Sequence, residues 1–313
     1  MSEGIILPPG VSISIIAFLL ALLPAGFFIW LWYLRRHSRS VPARTVALAF
    51  IGGLAIVLPA FWMEDLAERL WQVISPATAH FFAGAALPLM RVSDILLPAF
   101  GTFAIVAIIE EGMRYGLMRT WIKRSRVVDQ VFDGLLIGVA VGLGFATLEN
   151  TIYFLGLFRD GSFDTLVFVF FLRFIISTLA HISFSGLMGA LIARGIFDLF
   201  NGRAFLISAF LIPWFLHGLY DLLLGINYGV YAVLVLLPPL LILIYWTNRR
   251  DFFVVHRKNG RFLASAQPPQ TNAVRAVHEI MENMDSPWNV NAPWLIKNKS
   301  YMRVLKMIDS HES

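Results

Sequence analysis

The chain has 313 residues, of which 58% are apolar and 14% charged, with a formal net charge of +5 and a mean hydropathy of +0.71. That balance leaves too little charge to solvate a globular surface, and 27 Phe, 9 Trp and 8 Tyr fit a chain whose main solvent is lipid. The absence of cysteine excludes disulfides, thiolate metal sites, a cysteine nucleophile and prenyl or palmitoyl anchors.

A helix crosses the ~30 Å hydrocarbon core with about 20 apolar residues. Seven stretches reach that length, at roughly 11–33, 45–63, 95–118, 130–156, 164–193, 204–224 and 227–247. They predict an all-α, polytopic transmembrane bundle over residues 1–248. Only Glu3 precedes the first stretch as a charge, without a basic n-region or a small-residue cleavage site, so a retained helix is expected rather than a signal peptide. Residues 79–90 (AHFFAGAALPLM) are apolar but too short to cross, which suggests an interfacial or re-entrant element. Beyond the last span, residues 249–313 form a polar tail broken by Pro268, Pro269, Pro287 and Pro293. Val274, Val277, Met281 and Met284 recur there at helical spacing, and a second short amphipathic helix is expected from Tyr301 to Ile308. The tail reads as a solvated regulatory or membrane-surface appendage in preference to a substrate-binding element.

Lys and Arg in the connections give the direction of the helices. One side carries Arg35, Arg36, Arg39 and Arg44, then Arg119, Lys123, Arg124 and Arg126, then Arg194 and Arg203, then Arg249, Arg250, Arg257, Lys258 and Arg261. The other carries Arg69, Arg91 and Arg159. This asymmetry places the chain in the cell membrane with the N-terminus outside and the tail in the cytoplasm. The basic residues thus orient helices, and no nucleic-acid partner is expected.

An ionisable side chain at mid-bilayer costs at least ~2.5 kcal/mol, so helices carrying several must face one another or a wet cavity. The third span holds Glu110, Glu111 and Arg114, the fourth Glu149, the fifth Arg173 and His181, the sixth His217 and Asp221. Asp133 lies near a membrane edge and reads as an interfacial charge. Glu110 and Arg114 stack on one face, with Glu111 turned about 100° away, so one carboxylate pairs with the guanidinium while its neighbour points elsewhere. His217 and Asp221 stand at the spacing where a carboxylate orients an imidazole. Arg173, Ser177 and His181 form a polar stripe, and Gly134, Gly138 and Gly142 allow a neighbouring backbone to approach the fourth span closely. Taken singly, each of these groups has a structural reading, as a buried ion pair or a hydrogen-bonded core imidazole. Together, four helices converging on one interior point to function.

Among ways of cutting a peptide bond inside a membrane, a zinc site of the HExxH type is absent. Tyr220-Asp221 supplies the YD of the aspartyl type, but no GxGD accompanies it. Ser185-Gly186 beside His181 is a poor match to a serine type. Glutamate and histidine chemistry remains: a carboxylate as base on water, and imidazoles that stabilise the oxyanion or hold a metal. The ordered set Glu110-Glu111-x-x-Arg114, Gly142-x-Gly144-Phe145-Ala146-x-x-Glu149-Asn150-x-x-Tyr153, Arg173 with His181, and His217-x-x-x-Asp221 resembles the PrsW group of intramembrane proteases. That group is related to the CAAX prenyl endopeptidases and to bacterial glutamate-type membrane proteases. The resemblance covers roughly residues 95–225.

The resemblance implies an intramembrane endopeptidase in which the glutamate pair activates water. The site would comprise Glu110, Glu111, Glu149, His181 and His217, with Asp221 supporting and Arg114, Asn150 and Arg173 around them. The basic residue is Arg114 where many members carry Lys. The prenyl endopeptidases place their Arg one residue later and a His where Glu149 stands, which disfavours prenylated substrates. The implied substrate is a membrane-anchored protein, such as a single-pass anti-sigma factor. Glu149, His181 and His217 are of types that bind zinc. The surplus of carboxylates favours a metal-free route, in which the imidazoles donate to the oxyanion. From the residues alone, a proton- or ion-coupled transporter and a non-catalytic scaffold stay open, though no internal repeat is visible. Counting ~1.5 Å per residue from the span ends sets Glu149 and His217 about 12 Å below one surface, but Glu110 and His181 about 24 Å below it.

Reporter fusions test the orientation. A fusion at Asp160 is expected to report the outer side and one at Ser313 the cytoplasm; an external Ser313 would mean a miscounted span, most naturally around 79–90.

Overall fold

The computed structural model describes residues 9–31, 41–74, 96, 99–125, 127–128, 130–160, 163–198, 201–248, 253–258 and 261–266. Among the described residues, seven helices stand where the seven apolar stretches predict them. They are α1 (Pro9–Ile29), α2 (Ala43–Ile74), α3 (a π-helical turn Gly101–Ala107 running into Ile108–Arg124), α4 (Val131–Asp160), α5 (Phe163–Leu172, a π-helical segment Arg173–Ser177, then Thr178–Phe197), α6 (Gly202–Gly225) and α7 (Gly229–Asn248). Five of them, α1, α2, α4, α5 and α6, are long and apolar enough to cross a membrane. The other two fall short for identifiable reasons: α3 carries Glu110, Glu111 and Arg114 in its middle, and the apolar part of α7 is Gly229–Tyr245.

Two boundaries differ from expectation. Helix α2 continues past residue 63 to Ile74, because the residues that follow are good helix formers tied by i,i+4 pairs, Arg69 to Asp65 at 2.8 Å and Gln72 to Glu68 at 3.4 Å. After α7, an antiparallel hairpin pairs β1 (Phe253–Lys258) with β2 (Arg261–Ala266), Phe253 opposite Ala266 and Lys258 opposite Arg261. The expected all-α tail contains no strand there, although Asn259-Gly260 between the two strands is a strong hairpin dipeptide. All these elements belong to the unit Met1–Gln267. The expected short helices at 274–284 and 301–308, and the element at 79–90, lie outside the described residues.

The bundle is apolar outside and polar within. Leu58, Trp62, Phe168 and Val230 are exposed, whereas Glu110, Glu111, Arg114, Asn150, His181 and His217 are buried. Lipid as solvent explains this inversion. Helix α4 is the axis: 89% of its apolar window is buried, against 28% for each of the other four spans. Its glycines account for that position, because they line two faces. On one, a Cβ at Gly134, Gly138 or Gly142 would meet the backbone carbonyl of Gly189, Ser185 or His181 on α5. On the other, a Cβ at Gly144 would meet the Phe50 carbonyl of α2, and one at Gly53 of α2 would meet the Val141 carbonyl. Backbones at such separations exclude any larger residue, so the glycines fix the register of three helices. The pairs 134/189, 138/185 and 142/181 keep one antiparallel register that extrapolates to the short connection between Asp160 and Phe163.

Gly138→Val is therefore expected to destabilise the bundle by about 1–3 kcal/mol or more, because the new side chain has only the Ser185 carbonyl to push against. Gly156→Val, where a Cβ meets nothing within 4 Å, should leave stability unchanged. Thermal unfolding of the detergent-solubilised variants measures the difference.

Candidate active site

One half of the site is built on α3 and α6. Arg114 is fully buried, and a guanidinium in that environment needs anions at hydrogen-bond distance. It finds two on its own helix: Nη2 donates to Glu110 Oε2 and Nη1 donates to Glu111 Oε1 at 2.6 Å. The expectation that only one carboxylate would pair with Arg114 is thus corrected, since the forked guanidinium spans both the i,i+3 and the i,i+4 position. Its plane also lies over the Phe145 ring of α4, 4.1 Å from the centroid. Glu111 Oε1 then reaches His217 Nδ1 on α6 at 2.9 Å, and His217 Nε2 lies 3.1 Å from Asp221 Oδ2. Helices α3 and α6 are tied above this point by Trp214, which donates from Nε1 to the Phe103 carbonyl at 2.8 Å, and by the Phe103 ring seated on Gly218.

The other half comes from α4 and α5. Arg173 donates from Nη2 to Glu149 Oε1 and from Nε to Asn150 Oδ1, each at 2.5 Å, and its guanidinium lies 4.4 Å from the centroid of Tyr153. The family-like spacing Glu149-Asn150-x-x-Tyr153 is thus a three-sided seat for one arginine. His181 Nε2 approaches Glu149 Oε2 to 2.7 Å, yet this oxygen is buried and, among the described residues, accepts no hydrogen bond of acceptable geometry. Two potential ligand atoms therefore face one point.

The two halves meet around a cavity of about 180 Å³ lined by Glu110, Glu149, Arg173, Ser177, His181 and His217, together with Tyr220, Asp221 and the apolar Val106, Ala180, Phe184 and Leu224. The depth mismatch counted from the sequence persists between the backbones but is bridged by the side chains. Side chains lean toward the N-terminus of their helix. In the antiparallel pair α4/α5, Glu149 and His181 therefore lean toward each other, as do Glu111 and His217 across α3 and α6. Long side chains close an axial offset of about 10 Å in this way.

Glu110, Glu149 and His181 each present a ligand atom, all within 4.8 Å of one another. This set differs from the expected one of Glu149, His181 and His217. Both nitrogens of His217 are already directed at carboxylates, and Glu110 takes its place. The donor set of two carboxylates and one imidazole, with an orphaned carboxylate oxygen among them, fits a divalent cation. The carboxylates of Glu64, Glu110, Glu111, Glu149 and Asp221 interact with this centre, against the guanidiniums of Arg114 and Arg173 and two imidazoles.

The structure brings together Glu110, Glu111, Glu149, His181, His217 and Asp221, with Arg114, Asn150 and Arg173 binding them. Asp133 stays outside the cluster and caps the start of α4 through Gln130. The stripe Arg173, Ser177, His181 lines the cavity. Three participants were not assigned from sequence. Glu64, with a buried Oε1 that lacks a partner among the described residues, lies one residue beyond the expected end of the second span and so falls outside the intramembrane set. Tyr220 was noted only within the YD dipeptide. Phe184, stacked on His217 at 5.8 Å and 29°, gave no signal distinct from core.

Comparisons with known proteins point to one family. Residues 41–246 match the profile of the "PrsW family intramembrane metalloprotease" group. The chain is similar to Protease PrsW of Geobacillus kaustophilus, 26% identical over 240 residues that cover 76% of this chain and 90% of that protein. It is 31% identical over 204 residues to Protease PrsW of Clostridioides difficile, covering 61% and 84%. Against Protease PrsW of Bacillus subtilis it is 24% identical over 221 residues, covering 70% and 86%. No solved structure matches.

The double grip on Arg114 predicts asymmetric tolerance. Arg114→Met leaves two carboxylates buried without a cation and is expected to cost about 3–5 kcal/mol. Arg114→Lys keeps the charge, loses the fork and should fold with a smaller loss. Yield and thermal unfolding of the two variants in detergent are the measurements.

Proposed function

Since this chain belongs to the PrsW family of intramembrane proteases, we propose that it hydrolyses a peptide bond in a membrane-anchored protein at the cavity between α3, α4, α5 and α6, with Glu110 as the base that activates water. Family membership sets aside the transporter and scaffold readings. The observation that carries the proposal is the convergence of Glu110, Glu149 and His181 on a cavity that also admits water, in an otherwise apolar bundle.

Glu110 suits the role of base. One of its oxygens is held by Arg114, which fixes the carboxylate, and the other is left for a water in the cavity it lines. Glu111 is fully buried, does not line the cavity and serves as a positioning residue, joining Arg114 to His217. Glu149 is oriented by Arg173 and Asn150, so its free oxygen stays aimed at the centre. Glu149 and His181 would hold a divalent cation, with zinc the best fit to carboxylate and imidazole ligands, and Glu110, which presents an oxygen within 4.8 Å of their ligand atoms, would stand beside it as the base. Bound there, such an ion acts as a Lewis acid and favours hydroxide over water. This replaces the metal-free preference, because that route had the imidazoles of His181 and His217 donate to the oxyanion, whereas both nitrogens of His217 face carboxylates and Nε2 of His181 faces Glu149.

The catalytic core then spans about residues 95–225 within a bundle of residues 1–248, followed by a tail of residues 249–313. A single-pass regulatory protein such as an anti-sigma factor is the substrate class this family suggests.

Purified protein with a single-pass substrate, beside Glu110→Gln, tests the proposal, since the amide keeps shape but cannot accept water's proton. Cleavage is expected to fall by at least about 100-fold in that variant. Elemental analysis separates the roles of Glu110. A variant that retains stoichiometric zinc while losing activity marks Glu110 as base, and loss of both marks it as a ligand. Wild-type activity that survives exhaustive chelation would overturn the metal assignment.

A further inference from the structure

Peptide hydrolysis needs a donor for the oxygen that gains charge, as well as a base for water. Most of the strong donors around this cavity are already committed. Arg114 is divided between Glu110 and Glu111, Arg173 between Glu149 and Asn150, and His217 lies between Glu111 and Asp221. Nδ1 of His181 is buried away from the cavity surface and unpartnered. Two hydroxyls remain in the lining, those of Ser177 and Tyr220. The phenol is the more acidic of the two and therefore the stronger donor to a developing oxyanion.

Tyr220 also has the rigidity that preorganised donors require. It lies one helical turn after His217, on the same face of α6. Its ring is packed edge-on against Phe184, with centroids 6.2 Å apart at 72°, and sits in an apolar cluster with Ala180, Ala232 and Leu236. Phe184 also stacks on His217, so one ring sets the position of both residues. Buried tyrosines ordinarily satisfy their hydroxyl. Here, among the described residues, the Tyr220 hydroxyl has no hydrogen-bond partner, while its phenol end lies within electrostatic range of Glu149, Arg173 and Asp221. A fixed ring that carries an unused donor into a reactive cavity is a binding group awaiting an acceptor.

We propose that Tyr220 is a catalytic residue whose hydroxyl donates a hydrogen bond to the carbonyl oxygen of the scissile peptide bond as that oxygen becomes an oxyanion. The proposal rests on the hydrolytic reading of the same cavity. Water oxygen attacks the carbonyl carbon and forms the C–O bond, water's proton passes to Glu110, and the C=O π pair moves onto oxygen, where Tyr220 holds it. On collapse that pair restores C=O, the C–N bond breaks, and the proton on Glu110 goes to the leaving amine. Tyr220 keeps its own proton throughout.

The test compares wild type, Tyr220→Phe and Glu110→Gln on one single-pass substrate. Tyr220→Phe preserves the ring and its packing, so the expected result is a kcat lower by about 100-fold with KM within about twofold. A second measurement is independent of small stability changes. A phosphinic peptide, whose tetrahedral oxygens mimic the oxyanion, should bind Tyr220→Phe at least about 10-fold more weakly, while the product peptide binds both proteins equally. Wild-type cleavage lost in Glu110→Gln but undiminished in Tyr220→Phe, with equal phosphinate affinity, overturns the Tyr220 assignment alone. Cleavage undiminished in Glu110→Gln instead overturns the hydrolytic reading of the cavity, and the inference falls with it.

Discussion

A guanidinium sealed inside an apolar bundle sets the terms for the rest of this structure. Arg114 has no route to water, and a lone cation there would be expelled from the fold or would expel it. Two adjacent glutamates on its own helix compensate it, and the excess negative charge this creates draws in His217 from α6 and, behind it, Asp221. Electrostatic necessity therefore propagates from one residue across two helices. The acidic pair that a water-activating site needs is the same pair that makes the cation tolerable.

The second organising constraint is steric. Glycines on α4 bring α2 and α5 to backbone contact on two faces, so three helices share one register and Glu149 has little freedom relative to His181 and Arg173. That closeness has an electrostatic consequence. With Arg173 holding one oxygen of Glu149, its other oxygen and the His181 imidazole are forced to a common point. Rigid small-residue packing thus sustains an arrangement of polar atoms that free side chains would relax away.

Both halves of the site are completed by irregular helix. One π-helical segment precedes Glu110 on α3, and the other contains Arg173 and Ser177 on α5. Such segments recur at functional sites because an extra residue per turn re-aims the side chains that follow. Here they deliver a basic, an acidic and an imidazole group to one cavity from helices whose outer faces still satisfy lipid. An intramembrane hydrolase needs that division of labour, with apolar groups facing outward and water, charge and donors kept in a pocket of about 180 Å³.

The sequence by itself determined the class of the molecule and the list of its reactive groups. Twenty-residue apolar runs are dictated by bilayer thickness, so the seven helices were legible, and ionisable residues inside them stood out because lipid makes each one costly. Pairs on a single helix were legible too, since His217 and Asp221 follow from the pitch alone. Tertiary structure decided the contacts between helices: His217 with Glu111, Glu149 with Arg173, and Glu110 in place of His217 beside Glu149 and His181. Spacing along one chain carries no information about axial offset between helices. The convergence depends on side chains of antiparallel helices leaning toward one another and on glycine contacts that fix the register. Glu64 was hidden for a related reason, because an apolar run ends at residue 63 while the helix that carries it continues to Ile74.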